Sequence, residues 1–359
     1  MPEQIHEILV IGLGAVGSIC AFVGMSSLDK SGNARVTAVA RSNFEAVNSK
    51  DWHAVSESKV CRSVADAADR AYTYVIVTTK AVPDVIRTSD ILNPLLSAPY
   101  CDKYTQPTYV LIQNGLNVEL DLYQALKSFA KEEPRIINTA VYISANLLDD
   151  NIVEDSDYGW LCLGVSRENC TVVENTPAEI DLLTPFAKLV EMGGGIPKIV
   201  PEIQRVKYAK NLWNVAYSSI ATLVRYPLPS IYRAPPDVEK GQNYDVYEYT
   251  IPTIRAILEE VVAVARAMGI PDSQAGIPHS IIDFTMQDTL NNHVKETSTH
   301  RPSMLLDAEK GRPIEVEAIV GEVVRMARKG DVDVPRTEML YALLLVVQNQ
   351  TLRRLQDAA

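Results

Sequence analysis

The sequence predicts an α/β protein, with an N-terminal Rossmann-type doubly wound sheet followed by a mostly α-helical C-terminal domain. Two observations predict the sheet. Short apolar runs recur through the first half of the chain at intervals that leave room for helices, and the first run ends in a glycine-rich turn. A third observation predicts the second domain, because apolar residues recur at helical spacing from residue 202 onward.

Length and composition support two domains. The chain has 359 residues, of which 47% are hydrophobic and 22% charged, as in globular proteins that bury a full core. A cluster of glycines and prolines at residues 193–201 is typical of a boundary between domains. We therefore predict a sheet domain over residues 1–198 and a helical domain over residues 199–359.

Charge, cysteine content and hydropathy argue against several classes of partner. A net charge of -11 disfavours nucleic acid or an anionic membrane as the main partner, since both repel an acidic surface. The five cysteines and five histidines match no metal-binding spacing, so we expect no metal. An odd number of cysteines, with no secretory signal and no membrane-spanning apolar run, predicts a cytoplasmic protein, and a homodimer is left open.

A glycine-rich turn directly follows the first apolar run, residues 8–11. Its G-x-G-x-x-G pattern consists of Gly12, Leu13, Gly14, Ala15, Val16 and Gly17. Glycines at this spacing let the chain turn tightly and approach a pyrophosphate, which the amides of the next helix bind. The motif alone is weak, because such turns also join strands to helices for structural reasons. A predicted helix over residues 18–28 and a second strand over residues 35–40 complete a βαβ unit, which strengthens the prediction of a dinucleotide site.

Arg41 stands where the second strand ends, and this position discriminates between nicotinamide cofactors. An NAD-binding chain places Asp or Glu there to accept from the ribose 2′-hydroxyl, whereas an arginine can hold a 2′-phosphate. The alternative is a solvated loop arginine without a ligand. We predict NADP(H) as the cofactor.

Further strands are predicted along the first domain. Buried runs lie at residues 71–80, 108–115 and 135–141, and antiparallel hairpins over residues 144–173 complete the domain. In a doubly wound sheet the ligand crevice lies at the carboxyl ends of the strands. Lys80 and Asn114 stand at two of those ends, so both are candidate site residues.

The second domain is predicted to consist of helices with one interruption. Helical periodicity covers residues 202–223, 250–268, 277–291, 314–329 and 336–355. The segment of residues 226–249, rich in proline and tyrosine, interrupts this pattern and is predicted to form a long loop or lid.

Three polar residues, Lys210, Asn214 and Ser218, recur every four positions in the first of these helices. They are predicted to share one face of an otherwise apolar helix. Such a row lies either at a solvated rim or in a cleft, because buried unpaired polar groups are costly. A lysine followed by an asparagine suits carbonyl reduction, because the ammonium stabilises the developing oxyanion and donates the proton while the amide orients the substrate.

Taken in order along nearly the whole chain, these motifs resemble the ketopantoate reductase (2-dehydropantoate 2-reductase) family. The matching elements are the turn at residues 12–17, Arg41, Thr79-Lys80-Ala81, Gln113-Asn114-Gly115, Lys210-x-x-x-Asn214, Ser303-Met304-Leu305-Leu306-Asp307, Glu315 and Gly321. The resemblance implies an NADP-dependent oxidoreductase that reduces 2-dehydropantoate to pantoate, the hydroxy acid of pantothenate biosynthesis. It also implies that the first domain binds NADP(H) and that the second holds the catalytic and substrate-binding residues.

The resemblance further implies a role for each matching residue, with Lys210 as the proton donor. The implied substrate-binding residues are Asn114, Asn214, Ser218 and Ser303. The implied cofactor-binding residues, besides the glycine turn and Arg41, are Lys80, Asn114, Ser144 and Glu315. On spacing alone, Glu315 could equally serve the positive end of the helix that it begins.

Three departures from the family pattern leave the substrate open. Ser218 stands where the family often has a second asparagine, and His300 stands three positions before Ser303 in place of the usual polar residue. The insertion at residues 226–249 is the third departure. The alternatives are a reductase of the same fold with another oxo or imino substrate and, less favoured, a non-catalytic NADP(H)-binding sensor.

Overall fold

The computed structural model describes residues 5–21, 34–48, 59–129, 133–142, 145–149, 152–155, 160–167, 170–233, 244–294, 298 and 300–358. The chain divides into two compact units. Unit 1 comprises Met1–Ala81, Ile86–Gln113 and Val118–Val206, and unit 2 comprises Val82–Val85, Asn114–Asn117 and Lys207–Ala359. Ser144, a predicted cofactor contact, lies outside the described residues.

Unit 1 is built on an eight-stranded sheet, whose strands are β1 (His6–Ile11), β2 (Ala34–Val39), β3 (Lys59–Cys61), β4 (Tyr74–Val77), β5 (Thr108–Leu111), β6 (Ile136–Val141), β9 (Trp160–Gly164) and β10 (Ile196–Ile199). Their order across the sheet is β10-β9-β6-β5-β4-β1-β2-β3. Strands β7 (Ala145–Asp149) and β8 (Ile152–Asp155) form a separate antiparallel pair. The predicted doubly wound sheet is confirmed, and so is antiparallel pairing over residues 144–173, because β9 also runs antiparallel to β6.

The topology of this sheet fixes where a ligand binds. From β3 to β6 the six parallel strands follow the order 3-2-1-4-5-6, which reverses direction between β1 and β4. Every residue of β4 and β5 is buried, as expected for central strands covered on both faces. Because open α/β sheets bind ligands at the carboxyl ends of the strands where the order reverses, the glycine turn after β1 lies at the expected crevice.

Helices of unit 1 connect these strands. They are α1 (residues 15–21), α2 (Phe44–Asn48), α3 (Val64–Ala67), α4 (Thr88–Leu96), α5 (Tyr100–Lys103), α6 (Leu120–Lys127) and α7 (Pro177–Met192). Helix α7 begins at Pro177 because Thr176 and Glu179 form a capping box, in which each side chain accepts from the other residue's backbone N–H.

The glycine and proline cluster at residues 193–201 differs from the prediction of a simple boundary. Gly194 has φ +92, so the chain leaves α7 through a left-handed turn that favours glycine. The chain then forms β10, which pairs in parallel with β9 at the edge of the sheet. This strand was not predicted, because its residues alternate between exposed and half-buried and form no continuous buried run. The division at residues 198 and 199 stays a prediction.

Unit 2 is helical. Its elements are α8 (Ile203–Trp213, which begins in unit 1), a first π-helix (Asn214–Ser218), α9 (Ser219–Val224), α10 (Val246–Ala267), α11 (Ile281–His293), α12 (Ser303–Glu309), a second π-helix (Glu317–Gly321), α13 (Glu322–Lys329) and α14 (Pro335–Asp357). The predicted helices are therefore present, but the first (residues 202–223) and the fourth (residues 314–329) each contain a π-helix, and α12 is additional. Of the predicted loop at residues 226–249, residues 234–243 lie outside the described part, and α10 already begins at Val246 because Asp245 caps it.

None of the described helices combines the length and the apolar character that a membrane span requires.

Candidate active site

The glycine turn in unit 1 has three glycines with three different reasons to lack a side chain. Gly12 has φ +98, and a Cβ there would lie 3.0 Å from Thr79 Cγ2. A Cβ on Gly17 would lie 1.8 Å from the Gly12 carbonyl oxygen, so helix α1 can pack closely on the turn only with glycine at this position. A Cβ on Gly14 would meet nothing within 4 Å. The open side of Gly14 is therefore the place where a pyrophosphate can approach the backbone.

Two side chains that the sequence analysis missed hold this turn in place. Thr78 Oγ1 donates to the Gly12 carbonyl oxygen at 2.6 Å, and Asn43 Nδ2 donates to the Leu13 carbonyl oxygen at 2.7 Å. Asn43 is buried, with 9% of its surface exposed. The signal available in the sequence was position, because both residues follow the carboxyl ends of strands that flank β1. These bonds fix the conformation of the turn.

The charged groups around this turn fit NADP(H). Arg41 follows β2 and is exposed, so its guanidinium is accessible to a 2′-phosphate, and no acidic residue occupies that position. Lys80 is likewise exposed just beyond β4. Arg62, which the sequence analysis did not consider, lies 4.1 Å from the centre of the Phe44 ring and pairs with Glu45. The turn and its flanking cations can therefore hold an anionic dinucleotide.

We expect Arg41→Gln to lower kcat/KM for NADPH by about 10- to 100-fold, because hydrogen bonds to a charged phosphate are worth about 1.5–3 kcal/mol. The value for NADH should change little, since NADH lacks the phosphate. Steady-state kinetics with both cofactors measure the effect. Arg35→Gln is the matched control, because Arg35 lies at the other end of β2 and pairs with Glu7. An unchanged preference in Arg41→Gln would contradict the assignment.

An open cavity of about 710 Å³ lies at the opposite edge of the sheet, beside the amino ends of β1, β4, β5 and β6. Its lining includes Glu7, Thr73, Thr108 and Arg135. The glycine turn and the strand ends that carry Lys80 and Arg41 are remote from it along the strands. We therefore assign the cofactor to the carboxyl edge, not to this cavity.

Three predicted site residues of unit 2 are joined by hydrogen bonds. Lys210 Nζ donates to Asn114 Oδ1 at 2.8 Å, and Asn114 Nδ2 donates to Glu315 Oε2 at 3.4 Å. Glu315 is buried with 3% exposure, whereas Lys210 and Asn114 are half-buried. Because the Asn114 amide is engaged at both ends, its oxygen is oriented towards the lysine ammonium. The three residues form a Lys210–Asn114–Glu315 chain.

The segment Asn114–Asn117 is held against the helix that follows Glu315. Gly115 has φ +88, and a Cβ there would lie 2.5 Å from the Ala318 carbonyl oxygen, so only glycine permits this approach. The Leu116 N–H donates to the same carbonyl at 2.9 Å. Asn117, with φ 55, donates from Nδ2 to Glu322 Oε1 at 2.6 Å. Asn117 was not predicted as a site residue, because its partner lies 205 positions away in the sequence.

The remaining predicted residues lie on neighbouring elements of unit 2. Asn214 begins the first π-helix and is half-buried, whereas Ser218 ends it and is buried with 1% exposure. Ser303 is the exposed first residue of α12, which packs against this π-helix and α9. In a π-helix the backbone hydrogen bonds join residues five positions apart, so residues spaced every four positions no longer share one face. Lys210, Asn214 and Ser218 therefore differ in exposure, and Ser218 is enclosed.

An aromatic cluster lies next to this row. Trp213 packs against His293 and His300 with ring centres 5.8 and 6.2 Å away, and its indole N–H donates to Thr289 at 3.1 Å. Burial and, to a lesser extent, the neighbouring His293 together lower the pKa of His300 to about 4. Below neutral pH and above that pKa, His300 is uncharged. It therefore carries no acidic proton at neutral pH.

Comparison with known proteins identifies the family. A model described as ketopantoate reductase PanE/ApbA matches residues 8–168, and one for the C-terminal part of the same proteins matches residues 202–348. A 2-dehydropantoate 2-reductase of Nostoc is 24% identical over 65% of this chain and 63% of its own length. An uncharacterized protein of Saccharomyces cerevisiae is 26% identical over 95% of this chain and 93% of its own.

Solved structures share the fold. The structure of 2-dehydropantoate 2-reductase from Methylococcus capsulatus aligns with a TM-score of 0.68 and 24% identity, covering 96% of this chain and 97% of that one. D-mandelate dehydrogenase, solved with NADH and anilino(oxo)acetate, aligns with a TM-score of 0.70 and 15% identity over 96% and 99% of the two chains. The two family models together span both units of the chain. The chain belongs to the ketopantoate reductase PanE/ApbA family and is an NADP(H)-dependent oxidoreductase of that type.

Proposed function

We propose that the protein reduces a 2-oxo acid to the corresponding 2-hydroxy acid, with ketopantoate reduction to pantoate as its reaction and Lys210 as the proton donor. The observation that carries this proposal is the Lys210–Asn114–Glu315 chain, in which a lysine ammonium is oriented by an amide that a buried carboxylate holds. A small acyclic carbonyl compound needs such a donor, because negative charge develops on its oxygen during reduction.

The residues divide the chemistry between them. NADPH, when bound, supplies the hydride that adds to the carbonyl carbon. Lys210 Nζ stabilises the negative charge on the carbonyl oxygen and gives it a proton, which forms the alcohol and leaves a neutral amine that solvent reprotonates. Asn114 holds the ammonium in place by accepting one of its three protons. Asn214 and Ser303 are proposed to bind the substrate carboxylate and hydroxyl groups.

A second candidate is the same reaction on a different 2-oxo acid. It is favoured by Ser218, whose short side chain is enclosed, and by the ring of Trp213, which lies on the same helix as Lys210 and packs against His300. D-mandelate dehydrogenase, which shares the fold, is an example with an aromatic substrate by its name. A non-catalytic sensor of NADP(H) is less favoured, because it does not require the hydrogen-bonded lysine.

The deciding experiment is NADPH oxidation with a panel of 2-oxo acids. Ketopantoate, 2-oxoisovalerate and phenylglyoxylate cover hydroxylated, branched and aromatic side chains. We expect ketopantoate to be reduced with kcat/KM above about 10⁴ M⁻¹s⁻¹, the lower end of the range for natural substrates. A higher value for another acid would select the second candidate. Tight NADPH binding with no turnover of any acid would contradict both candidates and favour the sensor.

A further inference from the structure

The second π-helix, Glu317–Gly321, leaves the Ala318 carbonyl without its usual helical donor, and the neighbouring Ile319 carbonyl accepts a bond from outside the helix. In an α-helix the Glu322 N–H would donate to Ala318, four residues back. Here it donates to the Glu317 carbonyl, five residues back. The Ala318 carbonyl instead accepts the Leu116 N–H at 2.9 Å, and the Ile319 carbonyl accepts Asn211 Nδ2 at 2.9 Å.

These two bonds connect the second π-helix to the segments that carry Asn114 and Lys210. Leu116 lies two residues after Asn114, in a segment so close to Ala318 that Gly115 admits no side chain. Asn211 directly follows Lys210 in α8. The π-helix therefore ties the Asn114 segment and the Lys210 turn to adjacent carbonyls, which fixes the spacing across which Lys210 Nζ donates to Asn114 Oδ1.

Stability of the fold does not by itself explain why residue 211 is an asparagine. The side chain has 2% exposure, and in the described part of the chain its Oδ1 has no hydrogen-bond partner. A buried amide oxygen without a donor destabilises the folded state, so a leucine of similar size would avoid that loss. An asparagine at this position supplies one feature that leucine lacks, which is the N–H group directed at the Ile319 carbonyl.

We infer that Asn211 is a positioning residue, which acts through the second π-helix to hold Lys210 at the distance from Asn114 that proton donation requires. The inference rests on the proposed function of Lys210. Asn211 itself does not contact the reacting atoms. Its effect should therefore disappear when Lys210 is absent.

The test is a double-mutant cycle on the full-length protein, with Asn211→Leu and Lys210→Ala singly and together. We expect Asn211→Leu to lower kcat by about 10- to 100-fold, since a displacement of about 1 Å is enough for such a loss. In the Lys210→Ala background it should change kcat by no more than about twofold, because residues that act as a unit are not additive. The solvent deuterium isotope effect on kcat should rise in Asn211→Leu, since proton transfer becomes slower relative to the other steps.

Tyr208→Phe is the matched control. Tyr208 lies on the same helix, is buried with 1% exposure, and donates to the Val261 carbonyl at 2.8 Å. Tyr208→Phe therefore removes a hydrogen bond from a buried side chain to a backbone carbonyl, as Asn211→Leu does, but the carbonyl belongs to helix α10. We expect this control to lower Tm by a few degrees without changing kcat or its isotope effect by more than about twofold.

Hydrogen exchange supplies a readout that does not depend on turnover. In Asn211→Leu, and in Asn211→Ala if the leucine variant is insoluble, amide protection should fall at residues 316–323 and at Leu116, while the protection around Tyr208 and Val261 is retained. Additive losses in the cycle, or unchanged protection at these amides, would overturn the role of Asn211. Full activity in Lys210→Ala would instead overturn the proposed proton donor, and the exchange data would still decide whether Asn211 secures the π-helix.

Discussion

Replacing Lys210 by alanine is expected to lower kcat by about 10²- to 10⁴-fold, the range associated with loss of a positioned general acid. The affinity for NADPH should change by less than about threefold, because the glycine turn and Arg41 belong to unit 1 and Lys210 belongs to unit 2. Steady-state kinetics give kcat, and quenching or enhancement of NADPH fluorescence gives the dissociation constant. The combination of a large loss in kcat and retained cofactor binding separates catalysis from folding.

Two comparisons make this experiment decisive. Lys310→Ala removes an exposed lysine at the end of α12 in the same unit and should leave kcat within about twofold of the original. Lys210→Arg keeps the cation but cannot release a proton at neutral pH, so its kcat should resemble that of Lys210→Ala. An arginine variant with nearly full activity would show that charge alone is needed and that the proton comes from elsewhere.

Most of the architecture was predictable because its signals are local. Buried runs at β4 and β5 and the glycine turn after β1 follow from composition over a few residues, and the strand order then places the crevice. Strand β10 was missed since an edge strand alternates between exposed and half-buried residues in place of a continuous apolar run. The π-helices were missed for a different reason, because segments of five residues are too short to show a period of their own in the apolar pattern.

Of the candidate site, only the residues proposed to act on substrate and cofactor were predictable. Lys210, Asn114 and Glu315 were singled out from motifs, and the structure joins them by hydrogen bonds. The groups that support them were not predictable, because each acts through a partner remote in sequence. Asn211 needs a carbonyl 108 positions away, and Asn117 needs a carboxylate 205 positions away. A pattern within one segment contains no information about such pairings.

The second large effect is expected from substitutions in the glycine turn, which distinguish a glycine needed for folding from one needed for cofactor binding. Gly17→Ala places a methyl group 1.8 Å from the Gly12 carbonyl and 2.6 Å from Thr78 Oγ1, so backbone must move. We expect it to destabilise unit 1 by about 3 kcal/mol, the upper part of the usual range for overpacking. For a unit of this size, that corresponds to a fall in Tm of about 6–12 °C, measured by calorimetry.

Gly14→Ala is the matched variant, because a methyl group there meets nothing within 4 Å of the protein. Gly14 has no left-handed backbone conformation, so alanine is not strained, and Tm should stay within about 2 °C of the original. If a pyrophosphate lies against this position, however, the methyl group occupies its space, and the dissociation constant for NADPH should rise by about 10- to 100-fold. Weakened binding without destabilisation can arise only where glycine is needed by the ligand and not by the fold. Unchanged NADPH affinity in Gly14→Ala would contradict the assignment of the pyrophosphate to this turn.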